Sequence, residues 1–254
     1  MIPIRDENPT RTTPYVVYVL IALNVLFFII DSIGAQDFRG NLWGYSMIPA
    51  EIVTGEDLPA VIRGEIVPHS SPNPVWLTII TSMFLHGGWL HLGGNMLYLW
   101  IFGNNIEDAL GHVKFLFFYL MGGVVAACAH ILFNINSQVP TVGASGAIAA
   151  VLGAYLVLFP KHRVIVLVFL LFFITTIAVP AVVVLGIWFA LQVFSAIEGT
   201  GMTPGSGGVA YWAHIGGFVA GVVGILLFGG RRLVRNYPSY RRYEPRNRRS
   251  WYED

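Results

Sequence analysis

The stretch Thr141–Phe159, TVGASGAIAAVLGAYLVLF, sets a serine between two glycines at the mouth of an uncharged apolar run. From Ser145 to Phe159 no charged side chain interrupts it, so it reads as a helix that begins at the serine and lies in an apolar medium. Below Ser145 on the same face come Ala149 and Gly153, at i+4 and i+8. Small residues at that spacing let a second membrane helix approach backbone to backbone. A complementary face occurs in AHIGGFVAGVVG, Ala213–Gly224, where Gly217, Gly221 and Gly224 follow His214 at i+3, i+7 and i+10. Gly217 and Gly221 form a G-x-x-x-G, and each small stripe continues directly from a reactive side chain.

The remaining sequence places these two helices in a larger bundle. The 254 residues are 55% hydrophobic and 11% charged, and the mean hydropathy is +0.65. An ordinary soluble domain carries roughly 25% charged residues, so this is a membrane chain. Six apolar runs read as spans: Tyr15–Ile30, Trp89–Phe102, Val113–Phe133, Ser145–Phe159, Val164–Phe194 and Val209–Phe228. The fifth is long and holds Pro180 near its middle, and with no polar turn to divide it we read one tilted or kinked crossing. A long connection, Asp31–Pro74, follows the first span, and Trp76–Leu85 dips into the interface before the helix-weakening Gly87–Gly88 pair. The expected fold is an all-α polytopic bundle of six transmembrane helices, with a cytosolic segment 1–14, a membrane domain 15–230 and a basic tail 231–254.

Basic residues test that count independently of hydropathy. Thirteen of the fifteen lysines and arginines fall in segments that six spans place on one side, eight of them in the tail from Arg231 to Arg249. Arg39 and Arg63 alone fall in the first connection. The positive-inside bias therefore puts both termini in the cytosol. Topology anchoring and attraction to anionic lipid account for the tail, and without an aromatic-basic platform nucleic-acid binding is not expected. The N-terminus does not read as a removable signal peptide, and the lack of a transit-type pattern favours a bacterial plasma membrane over an organelle. The single cysteine, Cys128, excludes an intrachain disulfide and reads as a small apolar residue.

Polar side chains inside these spans each need a partner or water. The candidates are Asn24, His91, Asn95, His130, Ser145, Gln192 and His214, and no aspartate or glutamate falls within the spans so drawn. Transporters coupled to protons or cations, and intramembrane aspartyl proteases, depend on such carboxylates, and no H-E-x-x-H marks a zinc protease. Serine, histidine and asparagine remain, the set that acyl transfer uses as nucleophile, base and oxyanion donor. Ser145, His91 and Asn95 stand at or just inside spans entered from outside, and His214 lies ~7 Å below the start of its span. His91 and Asn95, at i and i+4, share a helix face. Taken singly, Ser145 also fits a helix N-cap, and each histidine or amide also fits interhelical hydrogen bonding, the role assigned to Asn24, His130 and Gln192.

Together these residues resemble the rhomboid family of intramembrane serine proteases over roughly Tyr15–Phe228. HGGWLHLGGNMLYLWIFGNNIE, His86–Glu107, is similar to the family's second-span signature, with His91 and Asn95 in its H-x-x-x-N. GASG, Gly143–Gly146, and AHIGGFVAG, Ala213–Gly221, resemble its nucleophile motif and its sixth-span histidine. The resemblance implies catalytic Ser145 and His214, an oxyanion site of His91, Asn95 and the Ser145 backbone N–H, and a loop-supporting role for His86. It further implies no cofactor or metal, and single-span membrane proteins as substrates, cut near the outer boundary of the bilayer. Two positions depart from the pattern. Ala149 stands where relatives often carry an aromatic residue against the base, and Arg39 and Trp43 in RGNLW do not form the usual Trp-Arg pair. A non-catalytic rhomboid-like factor that binds membrane proteins is the alternative, yet such a protein typically lacks the nucleophile or base that this chain carries. A solute channel or transporter is a further one, without an evident inverted repeat to support it.

Overall fold

Apolar sequence becomes mostly helix in the computed structural model, which describes residues 2–33, 44–62, 64–67, 70–170, 173–199, 208–235 and 237. Helix α1 covers Tyr15–Ile33 and a short α2 covers Pro49–Thr54. A hairpin of β2 (Ala60–Ile62) and β3 (Glu65–Val67) follows α2 in the first connection. Arg39, Trp43 and Arg63 lie outside the described residues, as does the tail beyond Tyr237.

The predicted interfacial dip is a mixed helical segment, α3 (Val75–Phe84), bent by 80° from α4 (Trp89–Leu110) across the Gly87–Gly88 break. Helices α5 (His112–Phe133), α6 (Ser145–Leu158) and α8 (Tyr211–Leu227) lie within one to two residues of the predicted third, fourth and sixth spans. By length and composition α1 and α5 are each able to cross a membrane, and α3 with α4 forms a third candidate. At 14 residues α6 is about 21 Å long, short of the ~30 Å hydrocarbon core. It is walled by protein rather than lipid, since every residue from Gly146 to Tyr155 is buried.

The fifth predicted span is corrected by the structure. Its first half is a β-hairpin, β4 (Arg163–Leu170) and β5 (Phe173–Pro180), and only its second half is helix, α7 (Ala181–Ile197). RVIVLVFL and FITTIAVP are dense in β-branched and aromatic residues, which favour strands. Pro180 cannot lie inside a helix without removing a hydrogen bond, and it ends β5 and precedes α7. The N-terminal strand β1 (Ile2–Asp6) pairs antiparallel with β4, which makes a three-stranded sheet in the order β1-β4-β5. The molecule is therefore mostly helical rather than all-α, and its N-terminal segment is built into the fold.

The second helix also runs on to Leu110, past the predicted Phe102, and so carries Glu107 and Asp108, both buried. The spans as drawn from sequence excluded these acids. Glu107 accepts the backbone N–H groups of Val16 (2.9 Å) and Val17 (2.8 Å), orphan donors in the first turn of α1. Asp108 accepts from the Thr12 backbone N–H and hydroxyl, 3.0 and 2.6 Å away. Both carboxylates thus cap the entry to α1, where a helix N-terminus favours negative charge.

Asp6 ties the sheet to the bundle, accepting the Tyr155 hydroxyl at 2.6 Å. Burial pushes its carboxyl up from 3.8 to about 6, against the opposing pull of that hydrogen bond. The folded state therefore holds this proton more tightly than the unfolded chain. The stabilising contribution is complete below pH 4 and is lost as pH rises through 6. From pH 5 to 7 the folded protein is expected to lose about 1 kcal/mol through Asp6. Thermal unfolding in detergent at both pH values checks this: Asp6→Asn removes that part of the decline.

Helices α6 and α8 meet along the predicted small faces. A Cβ on Gly217 would collide with the Gly146 carbonyl, one on Gly221 with the Ala150 backbone, and one on Gly153 with the Phe218 carbonyl. Gly224 departs from the expected stripe, because it faces Phe118 of α5.

Candidate active site

This backbone contact fixes the distance between two side chains 69 positions apart. Ser145 is the first residue of α6, with Ala144 before it at the N-cap position. Its Oγ lies 2.8 Å from His214 Nε2, one turn into α8. His214 is buried and Ser145 half-buried. At the other ring edge, His214 Nδ1 lies 2.7 Å from Gln192 Oε1 on α7. The Trp188 ring, one turn before Gln192, leans over His214 with centroids 5.8 Å apart and planes at 35°. Helix α7 thus supplies the support that Ala149 cannot.

His91 and Asn95 of α4 converge on Gly143, two residues before the serine. The Gly87 backbone N–H donates to His91 Nδ1 at 3.3 Å, which leaves the proton of a neutral ring on Nε2. A Cβ on Gly143 would sit 2.7 Å from that Nε2 and 3.7 Å from Asn95 Nδ2. Gly143 also has φ +126°, so both its conformation and its neighbours require glycine. The Asn95 amide nitrogen is buried and has no hydrogen-bond partner among the described residues, a donor available to a newly formed acceptor. The loop before Ser145 is held by Gly143 N–H to the Ser82 carbonyl (2.8 Å) and by a reciprocal pair between Met47 and Thr141. His86 packs its ring against His91, with centroids 5.1 Å apart.

The four predicted residues therefore fall into two adjoining groups, Ser145 with His214 and His91 with Asn95 beside Gly143. Asn24 bonds instead to the Leu20 carbonyl of its own helix, and His130 Nε2 reaches the Thr141 hydroxyl at 3.2 Å. Cys128 is exposed. Gln192 is the residue that sequence reasoning left outside the site. Its signal was available: from Ala181 to Phe194 it is the one side chain with an amide or charge, a full turn from Trp188. Chemically the arrangement offers a hydroxyl beside an acceptor nitrogen, with N–H donors beside the same loop, as nucleophilic acyl transfer requires.

Residues 73–231 match the Rhomboid domain family. Among curated proteins, the mitochondrial rhomboid protein 1 of Saccharomyces cerevisiae is 32% identical over 151 residues, covering 58% of this chain and 40% of its own length. The rhomboid protease GluP of Bacillus subtilis is 30% identical over 238 residues, 91% of this chain and 38% of that protein. The human mitochondrial presenilin-associated rhomboid-like protein is 30% identical over 146 residues, 57% of this chain and 36% of the relative. The chain spans about two fifths of the length of these relatives.

Proposed function

This chain belongs to the rhomboid family and is membrane-embedded, and from that premise we propose that it is an intramembrane serine endopeptidase with a Ser145–His214 dyad. The observation that carries this reading is the 2.8 Å approach of Ser145 Oγ to His214 Nε2 across two helices packed through small residues. Ser145 Oγ attacks the carbonyl carbon of the scissile peptide while His214 Nε2 takes the hydroxyl proton. The oxyanion that forms is met by His91 Nε2–H, Asn95 Nδ2–H and the Ser145 backbone N–H. His214 then passes the proton to the leaving amine, and water hydrolyses the acyl-enzyme by the same route. Nucleophile, base and oxyanion donors all come from the chain itself.

We place the site in the outer half of the bilayer, with six spans and both termini in the cytosol, as the distribution of basic residues supports. The alignment over 91% of the chain is with the Bacillus protein, which favours a bacterial plasma membrane. Substrates are single-span membrane proteins whose helix unwinds near the outer boundary, because a fully hydrogen-bonded helix hides its carbonyls. The test is purified protein in liposomes with a single-span reporter, the products being mapped by mass spectrometry. The expected result is one cut near the outer end of the reporter helix. An intact reporter, or cuts confined to its soluble portion, would overturn the reading.

A further inference from the structure

We propose that Gln192 is a positioning residue that fixes the tautomer and ring orientation of His214, so that the base is served by three helices rather than two; this rests on the protease reading above. For His214 to take a proton from Ser145, Nε2 must present its lone pair, and a neutral ring then carries its proton on Nδ1. That N–H lies in an apolar bundle and needs an acceptor. Gln192 Oε1, at 2.7 Å, is that acceptor. Trp188 covers the ring from the same helix, so α7 holds His214 by a face contact and an edge hydrogen bond one turn apart. Ala149, buried on α6, gives no ring to lean on, and Asn24 and His130 bond elsewhere. A neutral amide that orients a catalytic histidine has a precedent in the Cys-His-Asn arrangement of papain-like proteases.

An amide presents either oxygen or nitrogen, and the wrong choice would place the ring proton on Nε2 and leave Ser145 without a base. The arrangement is therefore open to a direct reading. In full-length protein with 15N-labelled histidine in micelles, the His214 ring signals, assigned by their loss in His214→Ala, are expected to show the proton on Nδ1. A proton resident on Nε2 overturns the proposal, whatever the variants do. In cleavage assays, Gln192→Met, which keeps length and removes the acceptor, is expected to lower kcat about 10- to 100-fold with KM within about twofold. Gln192→Glu retains an acceptor oxygen at the same reach and is expected to recover most of that loss. Wild-type kcat in Gln192→Met, with Ser145→Ala inactive, overturns the positioning role and leaves the protease reading standing. Undiminished cleavage by Ser145→Ala overturns the protease reading itself, while the ring spectrum still reports the tautomer. Should Gln192→Met fail to fold, the wild-type spectrum decides.

Discussion

Purified protein carrying Ser145→Ala is expected to cleave a transmembrane reporter about 10^4- to 10^6-fold more slowly than wild type. The magnitude follows from the geometry. With Oγ gone, no other hydroxyl among the described residues shares His214 Nε2, and only substrate binding and the oxyanion donors remain. His214→Ala should cost a similar factor, because an unassisted serine is a weak nucleophile. The two groups act as one unit, so the double variant should be no slower than the worse single one. Rate losses that multiply would show that serine and histidine work in separate steps. Folding should be little affected, since Ser145 is only half-buried and Ala144, not Ser145, holds the N-cap position of α6. Equal thermal midpoints for wild type and Ser145→Ala would establish that the lost rate is chemical.

Gly221→Ala should damage the protein by a different route, lowering stability by about 3 kcal/mol and removing most activity with it. The added methyl falls within the Ala150 backbone of α6, and backbone cannot rotate aside as a long side chain can. Helices α6 and α8 must separate, and the 2.8 Å hydrogen bond near their N-terminal ends separates with them. Gly186→Ala on α7 is the control. A Cβ there meets nothing within 4 Å, so that change should be neutral or stabilising by up to about 1 kcal/mol. Comparing thermal midpoints and cleavage rates of the two variants separates helix spacing from glycine content. A Gly221→Ala protein as stable and active as wild type would refute backbone-to-backbone packing as the device that sets the dyad distance.

The legible parts of this molecule were those written in local spacing. Gly217 and Gly221 after His214, and Ala149 and Gly153 after Ser145, announced a close helix pair, and both helices begin within two residues of the expected positions. His91 and Asn95 could be placed on one face because helical periodicity alone puts i and i+4 together. What lay hidden depended on distant partners. Residues 164–180 are as apolar as a span, but β4 and β5 pair locally as a hairpin, and a third strand, Ile2–Asp6, joins β4 from some 160 positions earlier. Glu107 and Asp108 looked like loop acids because their partners, Val16, Val17 and Thr12, are about 90 positions away. Gln192 read as generic interhelical glue, since its isolation as the one amide of α7 marks it as unusual but its partner, His214, lies 22 positions away on another helix.

Reaction with a fluorophosphonate probe reads the proposed activation of one serine among many by a histidine on another helix, and it does so without requiring a known substrate. Folded wild-type protein, digested and analysed by mass spectrometry, should carry one adduct on the peptide holding Ser145, and the adduct should vanish in His214→Ala. An unlabelled Ser145 in folded wild type, or labelling that survives His214→Ala, would contradict the dyad.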